Sequence, residues 1–257
     1  MELLVVSVVA LIASGLTLFS GFGLGTLLMP VVAIFFPIEL AIAITAMVHL
    51  ANNLFKVGLL GRKANASVLI HFGMPAVVFS FLGALLLTRL SDIPPIYEYQ
   101  AFGRDLHISP LNMVIGLLIL AFVLLELSPR FSSIALDRKY LPLGGVISGF
   151  FGGLSGHQGA FRSMFLLKAG LNKEAFVATG VVLAIMVDMS RMVIYGWDIS
   201  ERHRVVEWPL VATASLAAFI GAYAGSKVLQ KVTIRSVQLV VSVLLVVVSL
   251  GLMSGVL

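Results

Sequence analysis

The sequence predicts an all-α polytopic membrane protein with two inverted repeats, each a glycine-broken helical hairpin followed by about three transmembrane helices. The 257 residues are 60% hydrophobic and only 11% charged, and their mean hydropathy is +1.08. A soluble fold of this size cannot bury that much apolar surface. The apolar runs are continuous, as in 111–127 and 239–252, whereas β-barrel strands alternate apolar and polar residues. This composition excludes a soluble globular domain, a disordered chain and a nucleic-acid-binding module.

Apolar segments follow one another along the chain, separated by polar or glycine-rich stretches. We identify ten of them: 3–19, 24–36, 38–60, 67–88, 110–127, 141–153, 158–169, 173–196, 205–227 and 236–256. A helix needs about 20 residues to cross the hydrocarbon core, and the first two segments and the sixth and seventh are shorter. A glycine-rich break joins the members of each short pair, which predicts a re-entrant or half-spanning hairpin. The alternative, in which all ten segments cross, stays open at this stage.

The two halves of the chain share a sequence pattern. Residues 20–25 are rich in glycine and are followed by an apolar stretch and the run 37–45; residues 155–159 and 172–179 repeat the pattern about 134 to 138 residues later. Because a hairpin returns to the side it entered and three spans follow, the halves are predicted to face opposite ways. We therefore divide the chain into three parts: a first transmembrane repeat (1–128), a cytoplasmic connector (129–140) and a second transmembrane repeat (141–257).

The charges predict how the chain lies in the membrane. Lysine and arginine outnumber aspartate and glutamate by 17 to 12, and the basic residues concentrate at 62–63, 130–139 and 227–235. We interpret these as cytoplasmic loops that follow the positive-inside rule, not as a nucleic-acid site. The loops 89–109 and 197–204 are then expected outside.

Some classes of chemistry are excluded by missing residues and motifs. Cysteine is absent, which excludes disulfides, thiol chemistry and cysteine-ligated metal sites. No Gly-x-x-x-x-Gly-Lys-Ser/Thr motif is present, so ATP-driven transport is not expected. The first apolar segment has no preceding basic region and no small-residue cleavage site, so we do not interpret it as a signal peptide.

The third apolar segment carries polar side chains on one helical face, where burial in a bilayer is costly. Thr45, His49, Asn52 and Lys56 follow one another at intervals of four, three and four, and Asn53 lies beside them.

The eighth apolar segment carries a similar stripe in the second half. Asp188, Arg191 and Tyr195 are spaced by three and four residues. Such residues can simply form hydrogen bonds that hold neighbouring helices together. A polar stripe repeated in both halves favours a functional site.

The glycine-rich breaks form the second candidate element. Gly21, Gly23 and Gly25 in the first half, and Gly156 and Gly159 in the second, permit unusual backbone angles and expose the N–H groups that start the next half-helix. Those groups and the helix dipole favour a small anion. Close helix packing by small residues is the alternative explanation.

The second break carries three further polar side chains: His157, Gln158 and Arg162. On the first turn of the half-helix, the guanidinium of Arg162 can bind an oxyanion through two donors. Alternatively, it extends to lipid phosphates at the membrane surface.

These candidates together predict a site for a small, hard oxyanion, because cations and donors outnumber a single buried acid. No metal site or cofactor is predicted, since the histidines and the aspartate lack ligand spacing. The candidate substrate-binding residues are Gly21, Gly23, Gly25, His49, Asn52, Asn53, Lys56, Gly156, His157, Gln158, Gly159, Arg162, Asp188 and Arg191.

Two sequence blocks carry a family resemblance: 21–30 with 37–45, and 152–159 with 173–179. In these blocks, and over nearly its whole length, the chain resembles the TauE/SafE family of sulfite and organosulfonate permeases. The resemblance implies a multi-pass permease of the bacterial inner membrane that moves sulfur-containing anions, often outward. The chain departs from the family pattern at His157 and Gln158, where glycine is commoner. It also departs on the first long helix, which often carries Ser or Thr where this chain has its polar stripe, so the exact anion stays open.

We expect alternating access around a midplane site between the halves. The half-helix starts, with Arg162 or Arg191, hold the anion in this hypothesis, and His49, His157 and Asp188 are candidates for proton coupling. If Asp188 pairs with Arg191, it becomes a strut in a gate instead. The expected partners are the anion, the lipid bilayer and protons, with a homo-oligomer left open.

Other functions compete with secondary transport. An intramembrane lipid-phosphate hydrolase would use His49 or a serine as base or nucleophile and Arg162 for the phosphate. A transporter of another small anion and a non-transporting membrane scaffold also fit the pattern.

Overall fold

The computed structural model describes residues 1–20, 23–60, 63–101, 103–132, 134–201, 205–228 and 234–257, and most of them are helical. Within these described ranges, five helices are long and apolar enough to cross a membrane: 38–58, 66–91, 110–127, 173–201 and 208–225. Large apolar side chains such as Leu117, Ile220 and Val243 are more than half exposed, as expected of a surface that faces lipid. The protein is therefore an all-α polytopic membrane protein, as predicted.

The first half begins with two short helices and a long one. Helix α1 (Glu2–Ser20) and helix α2 (Leu24–Ala33) flank the first glycine break, and helix α3 (Ile38–Leu60) follows. The next span starts as α4 (Ala66–Val68), passes through a π-helical turn, Leu69–Gly73, and continues as α5 (Met74–Ser91).

A β-hairpin lies in the loop 89–109, for which the sequence analysis made no strand prediction. Strand β1 (Tyr97–Ala101) pairs antiparallel with β2 (Arg104–Ile108), and Gly103 between them has a φ of 69°. The Tyr99 hydroxyl donates to the Ser254 carbonyl at 2.6 Å, so the hairpin packs on the carboxyl end of the chain.

The remaining helices follow the β-hairpin. They are α6 (Pro110–Leu127), α7 (Pro129–Ser132), a 3₁₀ turn (Arg138–Tyr140), α8 (Leu141–Ser155), α9 (Gly159–Leu166), α10 (Lys173–Glu201), α11 (Trp208–Val228) and α12 (Ile234–Ser254). The second glycine break separates α8 from α9. Most predicted segments agree with these bounds to within a few residues, because they end where glycine, proline or charge interrupts the apolar run. Helix α10 is longer than predicted: it continues through Gly196 to Glu201, so the first five residues of the predicted loop 197–204 are helical.

Helices from the two halves pack reciprocally. Helix α1 packs along α11, while α8 packs along α5; α3 packs on α10 and α6 on α12. The first two interfaces are tight because glycines face backbone. A Cβ on Gly153 would lie 2.0 Å from the Ser80 carbonyl oxygen, and one on Gly221 would lie 2.0 Å from that of Leu11.

The paired helices run parallel in both interfaces. Along α8, Gly145 faces Phe72, Gly149 faces Ala76 and Gly153 faces Ser80. Along α11, Gly221 faces Leu11 and Gly225 faces Gly15 in the same way. Two repeats predict such an exchange of partners. The opposite orientation of the halves and the boundaries at 128 and 140 stay predictions.

The basic loops of the first half and the connector lie together. Lys63 forms an ion pair with Glu174 at the start of α10, and Arg138 donates to Ser67 at 2.8 Å. The connector also hydrogen-bonds to α9, from the Leu136 N–H to the Met164 carbonyl (3.1 Å). This clustering at one end of the bundle agrees with the shared side predicted from charge; Arg62 lies outside the described residues.

Candidate functional site

The two glycine breaks have different local geometry. In the first, α2 starts after Gly23, which has extended angles and no side-chain cap; Gly21 lies outside the described residues. In the second, Gly156 ends α8 with a φ of 81°, a left-handed conformation that favours glycine. Helix α9 then starts at Gly159 with no side-chain cap.

The two breaks lie against each other. A Cβ on Gly25 would lie 4.0 Å from the Gly156 carbonyl oxygen and 3.7 Å from Cγ2 of Thr45. A Cβ on Gly23 would lie 3.7 Å from Nε2 of His49. The breaks therefore lie beside Thr45 and His49 of the α3 polar stripe.

Asp188 is the centre of a buried polar network that joins the halves. Its Oδ2 lies 2.6 Å from Nδ1 of His49 on α3, and its Oδ1 accepts from Arg191 Nε (3.0 Å) and NH2 (2.6 Å). The Gln158 amide donates to the same Oδ1 at 3.5 Å. Asp188 is 0% exposed, and a buried carboxylate is stable only when paired in this way.

Arg191 and Tyr195 also hold the end of α8. Arg191 NH1 donates to the Gly152 carbonyl at 3.2 Å, and the Tyr195 hydroxyl donates to the Gly153 carbonyl. The Tyr195 bond caps a carbonyl in the last turn of α8, and the Arg191 bond is a second one to the Gly152 carbonyl, which also accepts from the Gly156 N–H at 3.0 Å. The pairing of Asp188 with Arg191 agrees with the strut alternative of the sequence analysis.

Asn52 and Lys56 lie apart from this centre and connect helices. When the Asn52 amide is oriented with its nitrogen toward Ala218, the nitrogen donates to the Ala218 carbonyl (3.3 Å) and the amide oxygen accepts from Lys56 Nζ at 3.1 Å. Ser14 of α1 is also bonded to this amide. Asn52 thus connects α1, α3 and α11 through hydrogen bonds. Asn53, by contrast, lies 3.2 Å from the His49 ring nitrogens.

Two buried polar atoms near the breaks have no hydrogen-bond partner: Thr45 Oγ1 and His157 Nε2. The His157 ring stacks on Phe122, with centroids 5.2 Å apart, and its Nδ1 lies 3.1 Å from the Ser155 carbonyl oxygen. Buried polar atoms are normally bonded, so these two are candidates to contact a ligand.

Arg162 reaches the network through Gln158. Its NH1 donates to Gln158 Oε1 at 3.3 Å, and its Nε would lie 3.7 Å from a Cβ on Gly180 of α10. The side chain is half-buried and lies against protein, so it does not simply extend to lipid phosphates.

The structure brings most predicted site residues together and adds a few. Gly23, Gly25, His49, Asn53, Gly156, His157, Gln158, Gly159, Arg162, Asp188 and Arg191 surround the meeting of the breaks. Thr45 was placed on the polar stripe of α3 but not among the candidate substrate-binding residues. Its helical spacing from His49 was the signal that could have identified it. Ser14 was missed, since an isolated serine in α1 gives no signal. Among the described residues, no group of three or more His, Asp or Glu side chains could hold a metal ion.

The fold and site define a class of protein. Buried polar residues at two broken helices, within a polytopic bundle, are typical of secondary transporters. The model of the family "Sulfite exporter TauE/SafE" matches residues 6–252, and the chain belongs to this family of membrane permeases. No curated protein and no solved structure gives a significant match.

Proposed function

We propose that the protein is a secondary transporter that exports a small sulfur-containing anion, such as sulfite or an organosulfonate, across the bacterial inner membrane. One observation carries the proposal. The two glycine breaks meet at a buried network in which Thr45 Oγ1 and His157 Nε2 have no partner. The helix starts at these breaks favour negative charge, so an anion there gains donors from both halves.

The charge of the site supports an anion over a cation. Arg191 and Arg162 supply cationic donors, while the carboxylate of Asp188 already accepts bonds from His49, Arg191 and Gln158. A metal cation would have to compete with these bonds. An oxyanion gains charge-assisted hydrogen bonds instead.

The packing supports alternating access in a fold built from two inverted repeats, 1–128 and 141–257, linked by the connector 129–140. Parallel pairing of α1 with α11 and of α8 with α5 fits hairpins that enter from opposite sides. The polar network lies between α3 and α10, where the halves meet, as a midplane site requires.

We assign proton exchange, in a proton-coupled cycle, to His157 rather than to Asp188. Asp188 is fixed by His49 and Arg191, whereas His157 keeps one ring nitrogen unpaired. Protonating the unpaired ring nitrogen of His157 breaks no hydrogen bond, whereas protonating Asp188 would break its bonds to His49 or Arg191.

The bonds of His49 favour transport over lipid-phosphate hydrolysis. Its ring nitrogens contact Asp188 and Asn53, and no serine or threonine hydroxyl of the described residues bonds to them. A hydrolase using His49 as base needs a hydroxyl or water at that nitrogen.

Thermal unfolding of the purified protein with sulfite, sulfate, short sulfonates, phosphate or chloride tests the proposal. A ligand that binds only the folded state stabilises it by about 2.7 kcal/mol at a hundredfold excess over its Kd. We expect sulfite or a sulfonate to stabilise the wild type. Thr45→Val is expected to weaken this stabilisation, whereas Thr213→Val, the matched change on α11, is expected to leave it unchanged. Stabilisation by phosphate alone, or equal responses of both variants, contradicts the proposal.

A further inference from the structure

An arginine of the connector is held where the α4–α5 span begins, at the end of the bundle that carries the basic loops. Arg138 NH2 donates to the Ser67 hydroxyl of α4 at 2.8 Å, and Nδ1 of His71, in the π-helical turn, lies 2.7 Å from the Ser67 carbonyl oxygen. Arg138 and His71 are both exposed, so a ligand can reach the remaining donors of the guanidinium from outside the bundle. Ser67 therefore fixes Arg138 at the edge of this span.

Lys139 adds a second cation beside Arg138. Its Nζ lies 5.0 Å from the centroid of the Tyr140 ring, and both side chains are exposed. Tyrosine is enriched at the membrane–water interface, where its ring lies at the level of the lipid headgroups. The 3₁₀ turn Arg138–Tyr140 therefore places two cations and a tyrosine suited to the interface immediately before α8.

Neither cation is balanced by a carboxylate within the part of the chain that the structure describes. Arg138 bonds to a neutral hydroxyl and Lys139 contacts an aromatic ring, and neither forms an ion pair. Asp137, which precedes Arg138 in the chain, lies 4.0 Å from Lys168 instead. Two positive charges are therefore available to an anion at this point.

An apolar stripe runs along the outer face of the same span, starting from the bonded serine. The residues that follow Ser67 at an interval of three and then of four are large, apolar and about half-exposed or more: Ile70, Met74, Val78 and Leu82. At 1.5 Å per residue the stripe is about 18 Å long, which is close to half of the roughly 30 Å hydrocarbon core. The stripe is therefore about as long as one leaflet is thick, and it begins beside the cations.

We propose that Ser67, Arg138 and Lys139 form a site for an anionic phospholipid, which we define as the Arg138 headgroup site. The Arg138 guanidinium binds two phosphate oxygens through parallel donors, and Lys139 adds a point charge. One acyl chain lies along the Ile70–Leu82 stripe. A free phosphate would use the cations but not the stripe, and a zwitterionic lipid would bring its own cation against them. The site does not depend on which anion the protein transports.

Native mass spectrometry of the full chain, released from detergent, counts the lipids that stay bound. The probes are dioleoylphosphatidylglycerol, which has a net negative charge, and dioleoylphosphatidylcholine, which has the same acyl chains and no net charge. We expect the wild type to bind phosphatidylglycerol at least about tenfold more tightly. Arg138→Gln and Lys139→Gln are each expected to weaken phosphatidylglycerol binding about fivefold, the factor that one cation contributes near anionic lipid, and to leave phosphatidylcholine binding unchanged.

Matched variants separate this site from the general positive charge of the loops. Arg138→Lys keeps the charge and is expected to keep the preference for phosphatidylglycerol. Lys63→Gln, at an exposed lysine of the same end that pairs with Glu174, is expected to leave it unchanged. Equal losses in Lys63→Gln and Arg138→Gln would show diffuse surface charge and overturn the inference, as would equal binding of the two lipids by the wild type. Displacement of phosphatidylglycerol by an equal concentration of glycerol phosphate would show a site for free phosphate and overturn it as well.

Discussion

Asp188 shows how one buried carboxylate organises the polar centre. It is fully buried, and it ties α3, α9 and α10 together through His49, Gln158 and Arg191. The strong bonds of this group come from its charge, since hydrogen bonds to ionised groups are the stronger ones.

We expect Asp188→Asn to destabilise the protein by about 3 to 5 kcal/mol, because Arg191 is left buried without a counter-ion. Unfolding in detergent, followed by circular dichroism, measures the loss. Asp105→Asn, at an exposed carboxylate on β2, is the control and is expected to change stability by less than about 0.5 kcal/mol. Equal stability of Asp188→Asn and wild type would show that the network is not structural.

Gly156 is required by its backbone as well as by its space. Its φ is 81°, and a Cβ there would lie 3.0 Å from Arg191 NH1. We expect Gly156→Ala to cost about 1 to 2 kcal/mol or more, whereas Gly196→Ala, in a helix with no neighbour within 4 Å, stabilises by about 0.5 to 1 kcal/mol. If the backbone conformation of Gly156 is required, the melting temperature falls in Gly156→Ala and rises in Gly196→Ala. Shifts of both melting temperatures in the same direction would contradict this account.

At the scale of elements, glycines decide which helices touch. Helices α8 and α11 present glycines to the carbonyls of α5 and α1, so the backbones approach closely. Both glycine-bearing helices belong to the second half, and each packs on a helix of the first half.

Gly153→Ala and Gly221→Ala test this reciprocity. Each Cβ would lie 2.0 Å from a carbonyl oxygen, so the helices must separate, at a cost of about 1 to 3 kcal/mol. We expect similar losses of thermal stability in the two variants, with Gly58→Ala, at an open helix position, as the control. A large loss in only one variant would contradict equivalent interfaces.

At the scale of the whole molecule, the packing defines two bundles that exchange helices between the repeats. The first bundle contains α1, α2, α3 and α11; the second contains α5, α8, α9 and α10. The first bundle includes α11 from the second repeat, and the second bundle includes α5 from the first repeat. We infer that these bundles, and not the repeats, move as bodies during transport, with α3 and α10 at the boundary.

Disulfides test which parts move, and the chain has no native cysteine to interfere. Ser7 and Thr213 join α1 to α11 at 3.3 Å; a Ser7→Cys/Thr213→Cys crosslink stays inside one bundle and is expected to leave anion flux intact. Ala43 and Leu87 line one cleft but belong to different bundles, so bridging cysteines there with a short thiol reagent blocks flux. The reverse pattern would show that the repeats themselves move.

The helices and the breaks could be predicted from the sequence because lipid requires continuous apolar runs, and interruptions by glycine or charge are conspicuous. The β-hairpin 97–108 could not, since its two five-residue strands carry mostly charged and polar side chains and few apolar ones. It forms by docking on the carboxyl end of the chain, a contact that no local pattern encodes.

The site could be predicted as a set of stripes but not as a set of bonds. Spacing placed His49 and Asp188 on polar faces of two helices; their 2.6 Å contact depends on how α3 crosses α10. Lys56 and Asn52 belong to the same stripe as His49, yet Asn52 contacts α1 and α11. A stripe wide enough to face several helices cannot specify which partner each residue meets.

Flux of radiolabelled sulfite in proteoliposomes tests most directly whether the meeting of the two breaks moves a small anion. We expect saturable flux in the wild type. Thr45→Val removes the buried unpaired hydroxyl and is expected to reduce this flux at least about tenfold, a change that corresponds to about 1.4 kcal/mol. Thr213→Val is expected to retain wild-type flux. Saturable flux that Thr45→Val leaves unchanged, or no flux above empty liposomes, would contradict an anion pathway between the breaks.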